Sequence, residues 1–186
     1  MKYLKQAALI AVTMVLMPFA MAASDELENH LGFVDFSSLT SRASGEPTVE
    51  ISLKAPLLNM ITNLIRSEDE TAADFVSKLI RVTVNVFESD AIDVDDIAAS
   101  MSEIADSLDD QGWDRVVRVR EEDDHVDIFM RLSDDAELIH GIAIMVAGRT
   151  ETVMVNIVGD ISGEDISALG RRFDIDELVD LDVDVN

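Results

Sequence analysis

The sequence predicts an α+β fold: a two-layer sandwich in which a mostly antiparallel sheet of about six strands carries helices packed on one face. Three observations predict it. Branched aliphatic residues alternate at a two-residue period in six separate runs between Pro47 and Gly159, the pattern of strands whose two faces differ. Two pairs of these runs are separated only by the turn-like spacers "EEDD" and "GRTE", so they read as hairpins. Helical periodicity fills the stretches between the other runs, and strands clustered apart from helices make an α+β chain rather than an α/β one.

The elements follow in order. "PTVEISL" alternates Val49, Ile51 and Leu53 against Glu50 and Ser52. A helix comes next, with Leu57, Leu58, Ile61, Leu64 and Ile65 as its inward stripe, and Pro56 suits its first turn, where no N–H is needed. A second short helix carries Ala72, Phe75, Val76 and Leu79. In "IRVTVNVFE" Ile80, Val82, Val84 and Val86 alternate, and this first strand–helix–strand unit can pair in parallel through a right-handed crossover. Ile97, Met101, Ile104 and Leu108 mark the inner face of a longer helix. Asp93 can cap it with Asp96 three residues on, Ile92 can staple to Ile97, and Gly112 can end it in a left-handed conformation. Beyond the hairpins, "ISGEDI" repeats that grammar: Ser162 is the N-cap, Asp165 closes the box, and Ile161 and Ile166 form the staple.

The hairpin registers can be worked out. Placing Val117, Val119, Val126, Ile128 and Met130 toward the core sets Val119 opposite Val126 and Val117 opposite Ile128. The outer face then pairs Arg120 with His125, Arg118 with Asp127, Val116 with Phe129 and Asp114 with Arg131, so opposite charges meet twice. In the second hairpin Val146–Val153, Ile144–Val155 and Ile142–Ile157 point inward. The reverse side holds Gly141, Ala143, Met145 and Ala147 against Val158, Asn156, Met154 and Thr152, a strip neither charged nor truly polar. Such a strip needs cover from a helix, from the N-terminal island "GFVDF", or from another protein. Cover by the chain itself is the simpler expectation. A partner surface around Met145, Met154 and Phe129 is the functional one.

Address and charge come from the ends and the composition. Residues 1–22 have the parts of a cleavable secretory signal: Lys2 and Lys5, an apolar stretch from Ala7 to Phe19, and Ala20-Met21-Ala22 as the cleavage site. The apolar stretch is short of the about 20 residues that span a bilayer, and with no cysteine in the chain no lipobox exists. A leader over residues 23–46, one α+β domain over 47–173 and an acidic tail over 174–186 complete the expected organisation. The whole chain carries −24, and loss of Lys2 and Lys5 takes it to −26. That charge opposes nucleic acid and anionic lipid as partners, and no second apolar stretch is long enough for membrane insertion of the mature chain.

Chemistry is harder to find. No nucleophile elbow, phosphate-binding glycine loop, dinucleotide fingerprint or zinc-protease motif occurs, so no catalytic residue, metal or cofactor is assigned. Asp160 stands at a strand-to-helix junction, where helix-dipole stabilisation accounts for it. A hydrolase site from Asp160, His140 and Asn156 is opposed by register, since His140 shares a face with Ile142 and Ile144 while Asn156 points the other way. Asp180, Asp182, Asp184 and Asn186 alternate like the first ligands of a calcium loop, but the glycine and glutamate such a loop requires are missing. Arg115, Arg118, Arg120 and Arg131 form a basic island that either neutralises neighbouring aspartates or, through Arg118, Arg120 and Arg131, clamps a small anion.

The ordered set "GFVDFSSL", "EPTVEISLKAPLLNMITNLI", "LIRVTVNVFE", "GWDRVVRVR", "VDIFMR" and "VNIVGDISGEDISALGRRF" resembles a bacterial family described as domain of unknown function 4252. It spans about Gly32 to Phe173. The resemblance implies an exported envelope protein of α+β build, and it brings no activity, cofactor or catalytic residue with it. The functional expectation is an exported, non-catalytic interaction or accessory module, periplasmic or secreted, whose partner is an envelope protein or a second copy. The Met145/Met154/Phe129 face or the arginine face would do the binding. Small-anion binding is the alternative, and a hydrolase the more distant one.

Overall fold

The structure, a computed structural model, describes residues 27–42, 46–88, 94–121 and 124–173. The signal segment, the Ile92–Asp93 helix start and the acidic tail with Asp180, Asp182 and Asp184 lie outside the described residues.

The elements are α1 (Ser37–Arg42), β1 (Val49–Lys54), α2 (Ala55–Ile65), α3 (Glu70–Ser77), β2 (Leu79–Glu88), α4 (Val94–Asp110), β3 (Asp114–Arg120), β4 (His125–Leu132), β5 (Leu138–Ala147), β6 (Glu151–Ser162) and α5 (Gly163–Phe173). The strands form one sheet in the order β1-β2-β6-β5-β4-β3, antiparallel throughout. The predicted α+β class is what the molecule has. The β1–β2 unit corrects the expectation of a parallel crossover: Val49 pairs with Val86 and Lys54 with Arg81, antiparallel neighbours. Helices α2 and α3 pack on each other and return the chain to the same edge, so no crossover is required.

After β2 the chain passes through α4 to the far edge, and the β3–β4–β5–β6 meander brings it back to pair with β2. Helix α4 buries Ile97, Met101, Ile104 and Leu108, the stripe its sequence predicts. It stops at Gly112, whose φ of 78° is the left-handed conformation that glycine adopts without a Cβ penalty. Helix α5 starts on the predicted box: the Ser162 amide and hydroxyl donate to Asp165 Oδ2 at 2.8 and 2.6 Å, and the Asp165 amide donates to Ser162 Oγ at 3.3 Å. Burial pushes the Asp165 carboxyl up, but the Lys78 ammonium and the Ser162 donors outweigh it and hold it below the usual carboxylate value. In α2 the structure buries Leu58 and Thr62 and leaves Leu57, Met60 and Leu64 exposed, so the inward stripe is narrower than its apolar content suggests.

Among the described residues the main core cluster lies on one side of the sheet. Val34, Phe36 and Leu39 of the leader, with Ile97, Met101, Ile104 and Leu108 of α4, enclose Phe87, Phe129, Ala143, Met145, Ala147 and Met154. The core thus takes in residues N-terminal to position 47. Small side chains under the helix let two backbones approach. A Cβ on Gly32 would sit 1.8 Å from the His140 carbonyl oxygen, and one on Gly141 would sit 2.5 Å from Gly32 Cα. Buried Asn156 fastens the leader there: its Oδ1 accepts from the Val34 amide (3.1 Å), and its Nδ2 donates to the carbonyls of Gly32 (3.0 Å) and Ile142 (3.3 Å).

Candidate interaction surface

The two hairpin registers hold at Val117–Ile128, Val119–Val126, Ile142–Ile157, Ile144–Val155 and Val146–Val153. A bulge at Val116 shifts the start of β3, so Arg115 pairs with Phe129 and Asp114 with Met130, in place of the expected Val116–Phe129 and Asp114–Arg131 pairs. The faces, however, are reversed. Phe129, Met145 and Met154 are 0%, 0% and 1% exposed; they lie beneath α4 and the leader and form no partner surface. The branched residues expected inside form the uncovered side.

That side is built of three cross-strand rows. The first runs Leu53–Val82–Ile157–Ile142–Met130 and ends at Asp114 on the β3 edge. The second runs Ile51–Val84–Val155–Ile144–Ile128–Val117, and the third Val49–Val86–Val153–Val146–Val126–Val119. Apart from Asp114 every member is apolar, and none is buried among the described residues. The edges are the most open: Val49 is 43% exposed, Ile51 40%, Val117 38% and Val119 37%. With strands about 4.8 Å apart and alternate residues about 6.8 Å apart, the patch measures about 30 Å by 20 Å once side-chain width is included. That is at or above the largest apolar patch of an ordinary monomer, about 300–600 Å².

The reverse side of β1 and β2 sharpens the point. Glu50, Ser52, Thr83 and Asn85 occupy it, and none of them is buried. Val49, Ile51, Leu53, Val82, Val84 and Val86 all face the way of the open rows, while Phe87 at the end of β2 enters the core. Sequence reading missed these residues as a surface because it treated them as core. The signal that could have found them is this pairing of a polar reverse side with a single layer's worth of covering helix.

The arginines are mostly committed. Asp127 is fully buried on the covered side and forms an ion pair with Arg120. Arg115 Nε lies 3.7 Å from the other Asp127 oxygen, stacks 4.8 Å above the Phe129 ring and reaches Asp109 of α4 at 3.2 Å. Arg131 donates to the carbonyls of Gly112 and Leu132, closing the C-terminal end of α4. Arg118 is exposed and has no ion-pair partner among the described residues.

His140 and Asp160 do meet, Nδ1 to Oδ1 at 2.8 Å, with the His30 ring edge-on 6.1 Å away. A bulge between Ile139 and Gly141 lets His140 reach β6, which two-residue parity does not anticipate. Asn156 is not part of this group, since it holds the leader. Burial keeps the His30 imidazole below its usual pKa; His140 adds to the effect and Asp160 opposes it. A cleft of about 720 Å³ passes His30, Leu31, Ile104 and Arg131, and one of about 290 Å³ passes His140, Ser133 and Asp135. A carboxylate-oriented imidazole has the chemistry of a general base, but the Ser133 hydroxyl that lines the same cleft is donated to Asp135 at 2.6 Å and not to His140. Among the described residues no group of three or more His, Asp and Glu could hold a metal ion, and no helix is long and apolar enough to cross a membrane.

A family model described as Domain of unknown function (DUF4252) matches residues 44–169. The chain belongs to the DUF4252 family. No curated protein matches it. The DUF4252 match takes in all six strands, and with them every residue of the three apolar rows. It begins at residue 44, near the end of the leader, so "GFVDFSSL" and helix α1, which supply part of the core, lie outside the matched residues.

Proposed function

We propose that this DUF4252 chain is an exported, non-catalytic interaction module that acts through the apolar rows on the open side of its sheet. The supporting observation is a six-strand face of Val, Ile, Leu and Met in which no residue is buried among the described residues. Water contact over such an area is costly, about 25 cal/mol per Å² of apolar surface, so a partner gains by covering it. The signal-like residues 1–22 are the support for a partner in the envelope or outside the cell. Small-anion binding has lost two of its three cations, because Arg120 serves Asp127 and Arg131 serves carbonyl groups.

The absence of cysteine makes the reading directly testable. Single cysteines at Ile144→Cys and Val84→Cys, with Ser52→Cys as an exposed control, are labelled in intact producing cells with a polar maleimide. The face positions should react at least about tenfold more slowly than the control, since a covered thiol is inaccessible. The released chain should begin at Ala23. Equal labelling at all three positions would remove the basis for an interaction module.

A further inference from the structure

We infer that the occupant of the open face is a second copy of this chain, packed sheet on sheet about a two-fold axis near Ile144 and Val155. The inference rests on the interaction-module reading and goes further by naming the partner. Composition is its first support. Interfaces between proteins that also live apart are about as apolar as ordinary surface, with aromatic and arginine anchors at their centres, whereas homodimer interfaces are more apolar. The three rows contain no aromatic residue, no arginine, and one charge at a corner, Asp114. Nothing in them would discriminate a foreign partner, and an isologous contact needs only a surface complementary to itself.

Area is the second support. A patch of about 30 Å by 20 Å contributes about 600 Å² per copy, and two copies reach about 1,200 Å², the lower bound for a stable specific interface. Aligned sheets pack face to face about 10 Å apart with interdigitating side chains. Val155 and Ile144 occupy the middle row on the two central strands, β6 and β5, so a two-fold axis in the interface passes close to them.

The other occupants fit less well. Residues 174–186 could lay one strand along the face, but a strand covers a strip about 5–10 Å wide, and six of those thirteen residues are acidic. An anionic membrane is opposed by the net charge of −24. The same charge makes two copies repel, so association should strengthen with salt, which screens repulsion and leaves apolar contact intact.

The test uses the exported chain as purified from producing cells. Sedimentation equilibrium at about 100 µM should return twice the chain mass, a concentration at which even a weak micromolar dimer is formed. Association should tighten several-fold between low and high salt. Ile144→Cys should cross-link to its own copy with a short bis-maleimide, while Ser52→Cys on the reverse side should not. Ile144→Lys should weaken association by roughly 100-fold or more, because a charge would be buried without a partner, and circular dichroism shows whether it has folded. Ile144→Cys is conservative enough to decide the matter if the lysine variant does not fold. A monomer with no cross-link overturns the inference. If the cysteines are nevertheless protected in cells, a different protein is the partner and the interaction module stands. Flotation of the monomer with neutral phosphatidylcholine vesicles would give the face to lipid. Protection in the isolated monomer that vanishes when residues 174–186 are deleted would give it to the chain's own tail.

Discussion

Strands β5 and β6 supply alternate residues to two apolar faces of the same sheet, and the faces differ in the shapes they use. The covered face has Gly141, Ala143, Met145 and Ala147 opposite Val158, Asn156, Met154 and Thr152, nearly all removed from solvent. Small residues and flexible methionines let a helix and the leader segment settle close to the backbone. The open face has Ile142, Ile144 and Val146 opposite Ile157, Val155 and Val153, none of them buried. Branched side chains stand upright on a pleated sheet and pack across strands, which suits a flat contact with another sheet. Hydrophobicity alone therefore does not identify a core; the covered face is the one shaped to admit its cover.

The largest test of this contrast uses neighbours on one strand. Phe129→Ala should destabilise folding by about 3–5 kcal/mol, as truncation of a buried aromatic does. Ile128→Ala, one residue away on the open face, should cost less than about 1.5 kcal/mol in dilute solution, because the side chain is only partly removed from water. Urea denaturation of both variants measures the difference, and equal losses would mean that the open face is sealed in the isolated chain.

Next in size is the charge held under α4. Arg120→Ala leaves the buried Asp127 carboxylate with only Arg115, 3.7 Å away. A loss of about 2–3 kcal/mol is expected, less than for a fully buried pair, because Arg120 is itself partly exposed. Arg118→Ala, without an ion pair among the described residues, should change denaturant stability by less than about 0.5 kcal/mol.

The smallest effect concerns the leader. Burial favours the neutral form of His30, so its folded-state pKa lies below that of the unfolded chain. The unfolded chain then binds more protons as pH falls. The His30 contribution is complete above about pH 6.5 and is lost as the pH drops toward the lowered folded value. Its Nδ1 accepts from the Gly32 amide at 3.0 Å, so protonation also loosens the segment that Asn156 clamps. A lower protection factor at the Val34 amide on acidification, with the change abolished in His30→Gln, is the expected result. No difference between the two proteins would show that His30 plays no part in holding the leader.

Much of the fold was legible in the residues. Alternation located all six strands, spacing gave the central registers of both hairpins, and Ser162, Asp165 and Gly112 marked helix ends that the structure reproduces. The interaction surface was legible in its membership but not in its role, since Met145, Met154 and Phe129 were read as the exposed option and Ile144 and Val155 as core. In β3 and β4 the error came from charge: Asp127 looked like an outward residue, but Arg120 and Arg115 compensate it where α4 covers the sheet. Register argued against bringing His140 and Asp160 together, and the contact forms because a bulge breaks the parity on which that register depended.

A two-residue period divides a strand's side chains into two sets and fixes which residues travel together. That much is local, because it follows from backbone geometry, and the sequence by itself determined it here. Which set is buried depends on where α4 and the leader come to rest, and that is decided by contacts between residues far apart in the chain, such as Val34 with Asn156. With both sets of β5 and β6 apolar, local patterning supplied no preference. Only the tertiary structure could choose, through the close approach that Gly32 and Gly141 allow on one side and branched side chains prevent on the other.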